Sequence, residues 1–258
     1  LLYTRLGFPI VTTTPKGSPS TSSDDIETIQ HPIITDIVGY RQASHTKSTF
    51  IEGLFDDLID NRVHCNFKQL GARTGRLSCT NPNLQQIPKT EKMIRRAFIG
   101  DINVVSFDYN QMEMRLFAHF SKEVNLIQAY KDGLDIYAVI AAKIFGISLQ
   151  DAYNELDPFK TKFSCRDFMK GLVLGFIYGM GVSKFALIMQ LEALDAQSLA
   201  KTLFEAYPGI KAYQLQVMSE IILNGYVKTL FGRKRRLRPF EYYKAVNSII
   251  QGSAADIL

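Results

Sequence analysis

Four residues at strict four-residue spacing, Arg166, Lys170, Leu174 and Tyr178, form the sharpest chemical pattern in the sequence. On an α-helix this spacing sets them along one gently drifting stripe. The stripe offers two cations, then an apolar side chain, then a ring followed by Gly179. A triphosphate joined to a base has the matching polarity, charged at one end and flat and apolar at the other. Arg166 suits a forked contact with phosphate oxygens, and Lys170 a compact point charge. The same spacing also fits an ordinary amphipathic helix with a solvated cationic edge, in which Leu174 would belong to the core.

Two other clusters could do chemistry. The run INVVSFD at 102–108 reads as a buried strand ending in the carboxylate of Asp108. An acid in that position suits Mg²⁺, which takes hard oxygen ligands and few protein carboxylates beside substrate phosphates. A helix cap is the alternative use of such an aspartate. Tyr109, Asn110 and Gln111 follow, with Glu113 and Arg115 on the next helix. Upstream, Thr74–Ser78 and Asn81–Pro88 form a polar stretch dense in amides, with one arginine, Arg76. It suits hydrogen bonding to sugars or to base edges in a minor groove, or a turn-rich connection.

The elements that must position these residues can be read from periodicity. The stretch TTTPKGSPSTSSDD at 12–25 reads as a loop that ends in a helix capped by Ser22 or Ser23. Helical spacing runs from about 24 to 59, broken at His31-Pro32, and Arg62–Gln69 alternates as a strand does. From Gln111 to Tyr226 the pattern is helical, in segments near 111–120, 123–131, 135–145, 148–155, 163–180, 182–191, 195–206 and 209–223. Tyr226–Leu230 and Lys234–Leu237 flank Phe231-Gly232-Arg233 as a hairpin, and a last helix starts near 241. The layout predicts an α+β fold, a small sheet split by a long helical insertion.

Composition narrows the function. The 258 residues, 46% hydrophobic and 21% charged, suit a globular chain with a sizeable core and exclude a disordered one. No run approaches about eighteen apolar residues, which argues against a membrane span. Cys65, Cys79 and Cys165 are odd in number and form no CxxC, so neither a disulfide framework nor a zinc site is expected, and a reducing compartment is. Residues 225–244 carry seven basic side chains against one acid, Glu241, whereas the whole chain has a net charge of only +5. Such a concentration suits a polyanionic partner or a solvated charged loop.

Taken in order, TGRLSCTNPNLQQIP, DYNQMEMR and RDFMKGLVLGFIYG resemble the motifs of the family-A DNA polymerases, the group related to bacterial DNA polymerase I. GSPSTS, HTKSTFIEGL, YPGIKAY and AVNSIIQGSAADI extend the resemblance along essentially the whole chain. It implies a right-hand polymerase with a small antiparallel palm sheet and a large, mostly helical fingers insertion. Residues 1–56 would be the end of the thumb, 57–119 and 232–258 two parts of the palm, and 120–231 the fingers. The implied reaction is DNA-templated: a primer 3′-hydroxyl attacks the α-phosphorus of a deoxynucleoside triphosphate, assisted by two Mg²⁺ ions.

The resemblance also implies roles for individual residues. Asp108, with the Tyr109 carbonyl, would hold metal. Glu113 would be a steric gate against ribonucleotides, backed by Tyr178. Arg166 and Lys170 would bind phosphates and take part in catalysis, and Gln111, Tyr137, Leu174 and Tyr178 would complete the nucleotide site. Arg76, Asn83, Gln85, Asn247 and Gln251 would contact primer–template DNA, mostly from the minor-groove side. A monomer in the cytoplasm of a bacterium or an infected host cell is expected.

Four departures from the family pattern stand out. Leu174 replaces the usual Phe or Tyr, which puts sugar discrimination in doubt and is similar to viral members. Tyr137 replaces a common His, and Tyr243 a common Arg. The sequence also stops before the family's His-Asp-Glu motif, which carries the second metal-binding aspartate. One carboxylate cannot hold two cations about 4 Å apart, so this piece alone is expected to have little or no activity. Single-subunit RNA polymerases share the Asp-bearing motif and the Arg-Lys-Tyr-Gly helix, but generally lack an acid at the gate and the TGRL…PNLQ segment. A non-catalytic nucleic-acid-binding relative is the other alternative.

Overall fold

A computed structural model describes residues 2–88, 91–159, 161 and 163–258. The chain divides into two compact units, residues 1–68 with 78–105, and residues 69–77 with 106–258.

The first unit contains α1 (Ser23–Ile26), α2 (Pro32–Lys47), a π-helical turn at Ser48–Glu52 and α3 (Gly53–Asp56). Ser22 caps α1, its hydroxyl accepting from the Asp25 amide, and Pro32 opens α2 where a missing N–H costs nothing. Two short antiparallel pairs follow. They are β1 (Leu58–Ile59) with β2 (Arg62–Val63), and β3 (Asn66–Lys68) with β4 (Ser78–Thr80). A 3₁₀ turn at Leu84–Gln86 and α4 (Lys92–Ala97) complete the unit. Its small core gathers Leu2, Ile26 and Ile34, with Tyr3, Phe8 and Ile37 packed around them.

The second unit carries a much larger core. Its elements are α5 (Met112–Ser121), α6 (Val124–Lys131), α7 (Ile136–Phe145), α8 (Asp151–Asn154), α9 (Cys165–Ile177), α10 (Val182–Met189), α11 (Ala193–Ala206) and α12 (Pro208–Asn224). The hairpin of β5 (Tyr226–Lys228) and β6 (Lys234–Arg236), a 3₁₀ segment at Pro239–Lys244 and α13 (Ala245–Ile257) follow. Helix ends match their signals. Asp135 caps α7 and Gly146 closes it at φ 68°, while Pro208 starts α12 and Gly225 ends it at φ 70°. Glu123 is buried where α12 begins and accepts from the Gly209 amide at 2.7 Å, favourably placed at the positive end of the helix dipole. A side chain on Gly209 would meet that carboxylate, so the close approach requires glycine.

Two expectations need correction. Residues 102–108 form no strand: among the described residues nothing pairs with them, and Ile102, Val104, Val105 and Phe107 are exposed. A strand is held by ladder bonds to a neighbour, so apolar composition without a partner leaves only extended chain. The expected strand at 62–69 is instead divided between β2 and β3, which pair with different neighbours. Smaller differences follow the same logic. The helix expected at 148–155 shrinks to the single turn of α8, and 3₁₀ structure precedes the last helix, which begins at 245. No helix among the described residues is long and apolar enough to cross a membrane.

Candidate active site

Helix α9 carries the stripe. Ser164 caps it, its hydroxyl accepting from the Asp167 amide at 3.2 Å. One face is core: Phe168, Met169, Leu172, Val173, Phe176 and Ile177 are buried, each contributing about 1.5–3 kcal/mol by leaving water. The opposite edge carries Arg166, Lys170, Leu174 and Tyr178, none of them buried. Leu174 sits at the boundary, half-buried and packed against the core. At the far end the Gln214 side chain donates to the Phe176 carbonyl at 2.6 Å, fixing the turn that presents Tyr178. Gly179 follows at φ 84°, where an added Cβ would lie 3.0 Å from the Tyr243 carbonyl oxygen.

Three residues from distant motifs meet beside this edge. The Tyr178 hydroxyl donates to Oε2 of Glu113 on α5, and the Arg76 guanidinium donates to Oε1 of the same carboxylate. Burial, then the bond to Glu113, pushes the Tyr178 phenol well above its ordinary pKa, so it remains a neutral donor. Both Glu113 oxygens are thus oriented by partners that a local reading of sequence would not join.

The two cations of the stripe differ. Lys170 is exposed and forms no ion pair among the described residues. Arg166 is held: its Nε and Nη2 donate to Asp135 Oδ2 at 3.1 and 2.8 Å, and its Nη1 donates to Asp167 Oδ1 at 2.7 Å. Burial opposes its charge, but the bonds and proximity to Asp135, then to Asp167, outweigh that and raise its pKa. The Arg166 guanidinium carbon lies 5.6 Å from the centre of the Tyr137 ring, a cation–π distance. Tyr137 itself is buried, and burial, followed by the neighbouring Asp135, pushes its phenol well up.

Asp108 lies exposed in the extended segment ahead of α5, followed by the exposed Tyr109. The turn after it is pinned. Gln111 takes a left-handed conformation at φ 53°, a cost of about 1–2 kcal/mol for a residue with a side chain. Its Oε1 accepts from the Tyr130 hydroxyl at 3.0 Å, and Arg115 donates to the Asn110 carbonyl at 2.9 Å while lying 4.4 Å from the Tyr130 ring centre. Asp108 and the Tyr109 carbonyl are hard oxygen donors, which fits a Mg²⁺ ion completed by substrate phosphates. No group of three or more His, Cys, Asp or Glu side chains among the described residues could hold a metal by itself.

The remaining candidates divide between the units. Asn247 and Gln251 lie on α13 in the second unit, half-buried, and Asn247 Oδ1 is a buried acceptor with no partner among the described residues. Asn83 and Gln85 belong to the first unit and are exposed, with Asn83 Oδ1 accepting from the Gln85 amide at 3.2 Å. In the basic hairpin, Arg233 is a clamp. Its Nε donates to Asp256 at 2.7 Å, and its Nη2 to the carbonyls of Thr74 and Gly252 at 2.8 and 3.0 Å. Sequence reasoning missed Asp135, Gln214 and this role of Arg233. Only Asp135 had a local signal, an acid immediately before an apolar helix.

The second unit is thus predominantly helical with one small antiparallel hairpin, and it sets an acid–phenol pair beside a cationic helix edge. The sequence profile described as DNA polymerase family A matches residues 1–258. The chain is 37% identical over 278 residues to DNA polymerase I of Streptococcus pneumoniae, covering 100% of this chain and 31% of that protein. It is 38% identical over 261 residues to DNA polymerase I of Chloroflexus aurantiacus, covering 94% and 27%. With the thermostable DNA polymerase I of Thermus aquaticus the identity is 34% over 279 residues, covering 100% and 32%. The POL domain of Pol1 from M. smegmatis, solved in complex with DNA primer-template and dNTP, superposes with a TM-score of 0.86 at 30% identity, covering 99% of this chain and 47% of that one. This chain belongs to DNA polymerase family A. It spans about a third of the length of the curated relatives it matches.

Proposed function

We propose that this chain supplies nucleotide-binding and primer-positioning parts of a DNA-templated DNA polymerase, which adds deoxynucleoside triphosphates to a primer 3′-hydroxyl. The observation that carries the reading is the α9 edge, where exposed Lys170 and anchored Arg166 lead to Tyr178, hydrogen-bonded to Glu113. Relatives named DNA polymerase I, and a structural neighbour described with primer-template and dNTP, support it.

In this reading Lys170 and Arg166 take the triphosphate, which neutralises charge as the α-phosphorus is attacked and pyrophosphate leaves. Leu174 and Tyr178 offer the sugar and base an apolar surface. Glu113, held by Tyr178 and Arg76, stands where a 2′-hydroxyl would have to go, and its bulk excludes ribonucleotides. Tyr137 supports Arg166 from beneath, and Gln111 holds the turn after Asp108. Asp108 and the Tyr109 carbonyl would hold Mg²⁺ with the substrate phosphates; two such ions stabilise the attacking and leaving oxygens in this chemistry. Arg76, Asn83, Gln85, Asn247 and Gln251 contact primer–template DNA, where amide donors can test pair shape without reading sequence. Residues 1–56 are assigned to the thumb, 57–119 and 232–258 to the palm, and 120–231 to the fingers, in a monomer working in the cytoplasm.

The test is Mg²⁺-dependent addition of one matched deoxynucleotide to a primer–template by the protein that carries this chain. Template-directed addition is expected. Duplex binding without any addition would overturn the reading in favour of a non-catalytic binding relative, and preference for ribonucleotides would favour an RNA polymerase.

A further inference from the structure

We infer that Asp135 is a positioning residue for Arg166, holding one edge of its guanidinium so that the other edge is available to a triphosphate, with Asp167 the exchangeable anion at that second edge. The inference rests on the nucleotide-binding reading of α9 given above.

Asp135 has two tasks, one for each oxygen. Its Oδ1 accepts from the Tyr137 and Ala138 amides at 2.9 and 3.2 Å, capping α7. Its Oδ2 accepts from Nε and Nη2 of Arg166. The carboxylate cannot swing away without orphaning the first amides of α7, so it is a fixed anchor. The pair is largely enclosed, with side-chain exposures of 22% for Arg166 and 18% for Asp135, and the rings of Tyr137 and Tyr153 lie 5.6 and 5.9 Å from the guanidinium carbon.

A guanidinium has five N–H donors and two edges that can bind in a fork. Asp135 occupies the Nε–Nη2 edge. At the Nη1–Nη2 edge each nitrogen presents one N–H, and among the described residues Nη1 donates to Asp167 alone. The Asp167 side chain is 55% exposed, so it can turn into solvent at little cost. Two phosphate oxygens can then take the end edge while Asp135 keeps the side edge. Lys170, one turn along the same helix edge, completes a two-point anion site.

The test is equilibrium binding of a template-matched deoxynucleoside triphosphate with Mg²⁺ to the protein that carries this chain, in the presence of a primer–template lacking the primer 3′-hydroxyl. Asp135→Asn keeps an oxygen to cap α7 but removes the charge. It is expected to raise the nucleotide Kd about tenfold, the loss of one charge-assisted hydrogen bond, with duplex affinity unchanged and the protein still folded, though less stable because the enclosed Arg166 loses its paired charge. In an Arg166→Ala background the same substitution should add nothing. Asp167→Asn should lower the Kd about threefold by removing the competing anion. An unchanged Kd in Asp135→Asn, or an effect undiminished in the Arg166→Ala background, would overturn the positioning role. Unchanged or weaker binding in Asp167→Asn would overturn the exchange. Failure of the wild-type protein to bind the triphosphate would overturn this inference together with the nucleotide-binding reading, which separates that failure from the others.

Discussion

The Tyr178 hydroxyl donates to the Glu113 carboxylate across 65 positions of sequence, joining the last turn of the cationic helix to the first turn of α5. Arg76 reaches the other oxygen of the same carboxylate from the 69–77 segment. Glu113 is thereby oriented by two partners, as the proposed gate role would require.

On the proposed gate role, removing the Glu113 carboxylate should relax sugar selection. In the protein carrying this chain, Glu113→Ala is expected to lower the ratio of kcat/KM for deoxy- over ribonucleotides by about 100-fold or more. Tyr178→Phe, which leaves the bulk but loses the hydroxyl, should have a smaller effect in the same direction. Single-nucleotide incorporation with paired dNTP and rNTP measures both, and unchanged discrimination in Glu113→Ala would remove the gate assignment.

Lys170 is the exposed cation of the stripe and pairs with no carboxylate among the described residues. Lys170→Ala should raise the nucleotide requirement and slow incorporation far more than it weakens duplex binding. Titrating nucleotide and duplex separately distinguishes these effects. Equal losses in both would make Lys170 a DNA contact.

Arg233 ties the basic hairpin to α13 and to the Thr74 carbonyl, and Asp256 Oδ2 is buried without a partner among the described residues. Arg233→Ala would leave the whole Asp256 carboxylate unpaired in a half-buried position. A loss of about 2 kcal/mol is expected, reduced from the value for a fully buried pair because the Arg233 side chain is 39% exposed. Chemical denaturation reads it directly. If the loss comes from the orphaned acid, adding Asp256→Asn should recover part of it.

Several phenols in the second unit are held neutral by burial. Tyr130, Tyr137, Tyr178 and Tyr213 are shifted upward, and Tyr207 is pushed from 10.0 up to about 12. A phenol with a raised native pKa binds its proton more tightly folded than unfolded. Its stabilising contribution is complete below the unfolded value and is lost as pH rises towards the folded one. Helical circular dichroism should therefore fall between about pH 10 and 12, together with the appearance of buried-tyrosinate absorbance. Full ionisation of all tyrosines with the helices intact would contradict this.

The helical unit was legible because its punctuation is local. Asp135 and Gly146 bound α7, Pro208 and Gly225 bound α12, and the apolar period of α9 separated its core face from the edge bearing Arg166 and Lys170. The 226–237 hairpin is legible from its local turn, but strands whose partners lie farther along the chain are not. Residues 102–108 have the composition of a strand but no described partner, and 66–68 pair with 78–80, which carried no strand signal. Within the candidate site, Glu113 and Tyr178 are joined in the sequence only through the family resemblance, and the approach of Arg76 to the same carboxylate has no sequence signal. Contacts over 37 and 65 positions have no periodic signature. The hold of Asp135 on Arg166 was hidden for the same reason, although Asp135 was visible as a helix cap.

The most direct measurement is the rate of single-nucleotide incorporation by the protein carrying this chain, comparing wild type with Asp108→Ala at saturating primer–template and Mg²⁺. Asp108 is exposed and unpaired among the described residues, so its loss should leave the fold and duplex affinity intact. The expected result is a fall in incorporation rate of about 1,000-fold or more, as for removal of a group that stabilises charge in the transition state. Incorporation by Asp108→Ala at close to the wild-type rate would contradict the assignment of chemistry to this site.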